Sequence, residues 1–262
     1  MKSEITCVDS HVHLDLLYSE HPSRILELAR AGCLPVSWAF GHGIETTKDL
    51  ETYLQSQAGI IETINREGLP CFFLSGIHPR NIPADLRPGH VKRLLLPLLD
   101  HPLCLGIGEI GLENAGAHEK EIFSAQLELA PEVAKRRKVS GVHTPRKDKL
   151  RVTKEILEIL KAFSAFRERI VIDHCTVETI GEVLSSGFWA GITLSPIKSS
   201  LEDIQDIAGR HAKSLDRIML NTDSGEIFYE DLLNLAQENG VELNRKEDLT
   251  RNNAGRFFNL RC

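Results

Sequence analysis

A chain of 262 residues with 42% hydrophobic and 26% charged side chains can bury a large core, and it has the length of one α/β barrel rather than of a small sandwich. Its formal net charge of −6 argues against a protein that coats nucleic acid through clustered Lys and Arg, and no apolar run is long enough to span a membrane. Met1 to Thr6 contains no apolar stretch of the kind an export signal needs, so we expect a cytoplasmic protein with a single domain over residues 1–262.

In chain order, apolar runs rich in β-branched residues alternate with polar loops and amphipathic helical patterns. The pattern predicts strands over 5–8, 34–40, 71–75, 103–107, 139–142, 170–172, 189–194 and 218–220. Helices are predicted over 50–66, 119–138, 149–166, 178–186 and 201–212, with a closing pair after Phe228 and after Lys246. Pro131 falls inside the 119–138 pattern and should kink that helix or restart it. Eight strands joined by helices most simply close into a TIM-type (β/α)8 barrel, slightly distorted, with its chemistry at the C-terminal ends of the strands. The six cysteines, Cys7, Cys33, Cys71, Cys104, Cys175 and Cys262, show no CxxC spacing and read as reduced, mostly buried thiols.

Chemistry-bearing residues recur where the predicted strands end. After the first comes Asp9-Ser10-His11-Val12-His13, in which extended alternation puts His11 and His13 on one side. Asp9 shares that parity and is placed to accept a hydrogen bond behind them. Trp38, at the end of the second strand, either walls the pocket or packs in the core. After the third, His78 can hydrogen-bond an anion or donate to a leaving group, or simply cap the turn before Pro79. Glu109 ends the fourth strand inside Gly106-Ile107-Gly108-Glu109-Ile110-Gly111, where a buried carboxylate needs a cation. His143 and His174 follow the fifth and sixth strands and Asp223 follows the eighth. Each alone reads as a core histidine or a turn-capping aspartate; their recurrence at successive strand ends points to metal.

Four imidazoles and two carboxylates suit zinc first, then manganese, iron, nickel or magnesium, better than calcium, and two divalent ions bridged by Glu109 would use all six. Such a site keeps a net positive charge and favours a small anionic substrate, which Arg80, Arg146 and Lys198, lying after strands three, five and seven, are placed to grip.

These segments together resemble the TatD family of metal-dependent hydrolases in the amidohydrolase superfamily. Asp9 to Asp15 is similar to its D-x-H-x-H-L-D opening, Gly76-Ile77-His78-Pro79 to its G-I/V-H-P, and Gly106 to Leu112 to its G-E-I-G-L segment. Thr222-Asp223-Ser224 resembles its T-D-S, and Asn253 to Phe258 its terminal N-A-x-x-F. The resemblance implies one ion on His11, His13, Glu109 and Asp223 and another on Glu109, His143 and His174. It implies a hydrolase, with Asp223 orienting and deprotonating the attacking water and with Glu109 and His78 beside it.

The chain departs from the family pattern in its loops. Cys175-Thr176-Val177 replaces F-S-G, Asn221-Thr222-Asp223-Ser224-Gly225 replaces E-T-D-x-P, and residues 188–196 resemble a divergent branch of the family. The acidic segment from Glu226 to Asp231 stands where a basic loop often follows the aspartate, and it would repel a polynucleotide backbone. We therefore expect a phosphoesterase or related hydrolase of anionic small molecules. The alternatives are a TatD-like deoxyribonuclease and a non-catalytic accessory barrel.

Overall fold

The computed structural model describes residues 4–238 and 240–261. Its eight strands are β1 (Cys7–Val12), β2 (Cys33–Trp38), β3 (Phe72–Leu74), β4 (Cys104–Gly111), β5 (Val139–His143), β6 (Ile170–Ile172), β7 (Trp189–Thr193) and β8 (Ile218–Asn221). They follow one another in sequence order, and each pairs in parallel with the next. Between β8 and β1 the closure is made by separate bonds. Ser10 Oγ donates to the Leu220 carbonyl at 2.9 Å, the Asp223 N–H to the His11 carbonyl at 2.9 Å, and the His13 N–H to the Ser224 carbonyl at 2.7 Å. The result is the expected (β/α)8 TIM barrel.

The helices are α1 (Leu14–Glu20), α2 (Pro22–Arg30), α3 (Thr47–Arg66), α4 (Pro88–Leu95), α5 (Ala117–Leu127), α6 (Ala130–Lys135), α7 (Lys149–Leu160), α8 (Ile180–Ser185), α9 (Leu201–Arg210), α10 (Asp231–Gln237) and α11 (Asn253–Phe258). The pattern missed α1, α2 and α4. The first two are short and broken apart at His21, with Pro22 opening the second, and α4 is only 8 residues long, too few for a periodic signature. Pro131 does divide its helix: α5 stops at Leu127 and α6 restarts at Ala130, so the proline sits in a first turn, where its missing N–H costs nothing. The predicted 149–166 helix is α-helical only to Leu160 and continues as 3₁₀ turns over Lys161–Arg169.

Two strands differ from their predicted limits in ways that matter for the site. β1 begins later and runs to Val12, which puts His11 inside the strand, and its register against β2 slips between Asp9 and Val12. β4 continues to Gly111 with an irregularity between Ile107 and Ile110, so Glu109 sits at a bulge, a device that re-aims a side chain. Cys7, Cys33, Cys71, Cys104 and Cys175 are free and buried, as expected; Met1 to Ser3 and Cys262 lie outside the described residues. Among the described residues no helix is long and apolar enough to cross a membrane.

One core cluster joins strands to the surrounding helices; a second links Val8, Val36, Trp38, Leu74, Val139, Val171 and Met219 to Phe257 and Phe258 of α11. Trp38 ties this second cluster to the site. Its Nε1 donates to the Ser10 carbonyl at 2.8 Å, and its face stacks on His11 with ring centroids 4.1 Å apart. A Cβ added at Gly141 would overlap the Trp38 six-membered ring, which has nowhere to move in a full core. Gly141→Ala is therefore expected to cost about 1–3 kcal/mol in urea unfolding. Gly59→Ala, in open space on α3, should instead gain up to about 1 kcal/mol; equal effects at the two positions would contradict the packing argument.

Candidate metal centre

The strand ends bring the predicted residues to one place. His11 lies in β1 and His13 directly after it, Glu109 in β4, and His143 at the last position of β5. His174 and Asp223 stand two residues past β6 and β8, and His78 follows β3. All are buried except Asp223, which is half-buried. His174 and Asp223 adopt φ of +57° and +56°, a left-handed conformation that disfavours side-chain-bearing residues and that the surrounding structure must hold. The bond from the Asp223 N–H to the His11 carbonyl is one such restraint.

Glu109 is the hub. Its Oε1 lies 2.6 Å from His143 Nδ1, 3.2 Å from His174 Nε2 and 3.6 Å from His78 Nε2. Its Oε2 lies 3.3 Å from His11 Nε2 and 4.0 Å from His13 Nε2. The two carboxylate oxygens thus face different sets of imidazoles. His13 Nε2 also meets Asp223 Oδ1 at 3.0 Å, and the Lys198 ammonium donates to Asp223 Oδ2 while lying 2.9 Å from His174 Nδ1.

The far ring nitrogens are held from behind, as they are in sites that orient imidazoles toward a centre. His11 Nδ1 bonds Asp173, whose other oxygen accepts from Asn221 Nδ2 at 2.8 Å; His13 Nδ1 donates to the Trp38 carbonyl at 3.0 Å; His174 Nδ1 meets Thr193 Oγ1 at 2.7 Å. His143 is turned the other way, with Nδ1 on Glu109 and Nε2 3.0 Å from Glu113. His78 Nδ1 accepts from the Arg80 N–H at 3.1 Å, so the turn-capping reading holds for that nitrogen while Nε2 faces the centre.

Charges in the cluster are strongly coupled. Burial alone would lower His11, but Glu109 and Asp173 push it up to about 10. Burial works the other way on Glu109 and Asp223, yet both carboxyls are held well below their usual range, the first by His11, His78 and His143 and the second by Lys198 and His13. His78 is pushed down to about 4 by burial, and His174 to about 3 by burial and Lys198.

Three donor groups have ligand atoms within 4.8 Å of one another: His11, His174 and Asp223; His11, His13 and Glu109; His78, Glu109 and His143. His11 Nε2 is fully buried and makes no hydrogen bond, an orphan that an ion among these donors would satisfy. The residues present therefore fit a transition-metal ion.

Other residues stand differently from their sequence reading. Asp9 does accept hydrogen bonds, but from Thr222, through the backbone N–H at 3.0 Å and Oγ1 at 2.7 Å, and burial pushes its carboxyl up to about 7; Asp173 takes the place behind His11. Trp38 both packs in the core and stacks on His11. Arg80 pairs with Glu113 at 3.0 Å, so its charge is already matched, whereas Arg146 makes no ion pair among the described residues. Glu113 and Asp173 were missed. The only signal for either was an acidic residue next to a recognised motif.

Over the centre opens a cavity of about 290 Å³ whose wall includes Phe40, Arg146, Ile197, Lys198, Ile227 and Tyr229. Of the acidic residues in the 226–231 loop only Glu226 lines this wall, 3.3 Å from His42, while Glu230 pairs with Arg24 of α2 at 2.9 Å.

A family model described as TatD related DNase matches residues 8–225. An uncharacterised metal-dependent hydrolase of Methanocaldococcus jannaschii is 25% identical over 225 residues, 84% of each chain. A TatD-like protein from Archaeoglobus fulgidus superposes with a TM-score of 0.74 at 27% identity, over 97% of this chain and 100% of that one. A β-aspartyl dipeptidase from Fervidobacterium islandicum, with a TM-score of 0.63 at 14% identity over 98% of this chain and 76% of that one, shares the fold.

Proposed function

Because this chain belongs to the TatD-related DNase family, we propose that it is a metal-dependent hydrolase acting on a phosphoester or another small anionic substrate. In this reading His11, His13, Glu109 and Asp223 hold one divalent ion and Glu109, His143 and His174 hold a second, zinc being the first candidate for both. The observation that carries it is the placement of the Glu109 carboxylate, with one oxygen toward His143 and His174 and the other toward His11 and His13. Bound divalent ions supply a water of lowered pKa and polarise the oxygen of the scissile group.

The remaining work falls to side chains. Asp223, at the open side of the cluster, orients the attacking water and takes its proton. His78, with Nδ1 committed to the Arg80 N–H, presents Nε2–H toward the centre and donates to the substrate or leaving group. Arg146 and Lys198 hold the anion. Arg80, already paired with Glu113, acts by fixing the carboxylate that steadies His143. The family description supports a second reading, a metal-dependent deoxyribonuclease; Glu226 on the cavity wall and the chain's net charge of −6 weigh toward a small substrate.

The test is metal analysis by plasma mass spectrometry on untagged protein, together with hydrolysis of an aryl phosphate and a nuclease gel. We expect about two transition-metal ions per chain and turnover that falls at least about 100-fold with chelator and returns with zinc or manganese. Failure to take up any ion would remove the mechanism, and rapid cleavage of DNA with no hydrolysis of the aryl ester would favour the nuclease.

A further inference from the structure

A second cavity, of about 220 Å³, adjoins the first and shares Arg146, His174, Ile197 and Lys198 with it. Its own wall adds Lys149, Cys175, Thr176, Thr193 and Ser199, and no carboxylate lines it. Three cations therefore surround a space that holds no acidic side chain.

Their partners make the imbalance sharper. Lys149, the first residue of α7, is half-buried and donates to Thr144 Oγ1 at 3.0 Å and to the His174 carbonyl at 2.7 Å, both neutral oxygens. Among the described residues it forms no ion pair, and neither does Arg146; only Lys198 has a carboxylate, Asp223. Asp173 and Glu113 act on this half-buried ammonium only from beyond contact distance, so its burial is poorly offset, and an anion in the cavity would offset that cost. The space far exceeds what a single water needs.

We propose that this alcove is a second anion site, which binds a carboxylate or phosphate on the part of the substrate remote from the scissile bond. The inference rests on the hydrolase reading and narrows its substrate class to small esters carrying two anionic groups. The shared Arg146 and Lys198 connect the two positions, so one compact molecule reaches both. Lys149 acts as a specificity residue for the remote group.

The experiment has two arms on metal-loaded protein. In the first, kcat/KM is measured for an aryl phosphate and for the same ester bearing a ring carboxylate. The wild type should prefer the carboxylated ester, and Lys149→Met should reduce that preference about tenfold, the effect of one charge-assisted hydrogen bond, while bound metal stays at the wild-type level. Lys149→Arg should restore the preference. In the second arm, calorimetric titration with inorganic phosphate should show one site fewer in Lys149→Met than in wild type. Arg146→Gln, on an exposed side chain that makes no ion pair among the described residues, should weaken the same site and guards against misfolding of the lysine variant. A preference unchanged by Lys149→Met, or equal phosphate stoichiometry in both proteins, overturns the proposal. If wild type hydrolyses neither ester, the hydrolase reading fails and the phosphate arm still decides whether the alcove binds anions.

Discussion

Glu109→Gln is expected to lose bound metal and turnover together, with the rate falling at least about 10³-fold. The substitution preserves size and removes one charge, but it also replaces an acceptor oxygen by an N–H₂ donor in a place ringed by imidazoles. One of the two oxygens that face His143 and His174 on one side and His11 and His13 on the other is gone. His11 also loses the carboxylate that does most to raise its pKa, although Asp173 remains on its other nitrogen. Metal content and steady-state rate, measured on the same preparation, test the bridge. A variant that kept two ions would show that Glu109 does not join them.

Asp223→Asn is expected to behave differently, retaining the fold and most of the metal while turnover falls by about 10²–10⁴-fold, the range of a lost general base. Asp223 sits at the half-buried edge of the cluster, and its backbone restraint to His11 does not depend on the side chain. The amide oxygen of Asn can still meet His13 Nε2, but the group cannot take a proton from water. Lys198 would lose the carboxylate it pairs with, so weaker anion binding in this variant should appear in KM as well as in kcat. Full turnover in Asp223→Asn, with metal content confirmed, would remove the residue from the proton-transfer role.

The barrel was legible because strand composition and βα alternation are local properties, and the site because histidines and carboxylates recur at successive strand ends. His11, His13, His78, Glu109, His143, His174 and Asp223 were all recognisable in that way. What escaped depends on residues distant in sequence. Asp173 reaches His11 across 162 positions, and Glu113 meets both His143 and Arg80; nothing in the neighbouring sequence signals either contact. Asp9 accepts hydrogen bonds as expected, but that they come from Thr222 escaped for a local reason. Alternation assumes a regular strand, and the register slip between Asp9 and Val12 breaks the period-two rule there, leaving Asp9 on Thr222. Lys149 carries no motif and gains its meaning only from an alcove whose described lining includes no carboxylate.

The join between β8 and β1 has a thermodynamic side. Every other pair of neighbouring strands is zipped by a parallel ladder, whereas this one is spanned by individual bonds from Ser10, His13 and Asp223. His11 and His13 stand on one side of that join and Asp223 on the other, so an ion held by all three works as a clasp. On the proposed reading its binding energy would also be closure energy for the barrel: removing the ion would leave only those individual bonds across the join, and resistance to unfolding would rise with free metal concentration.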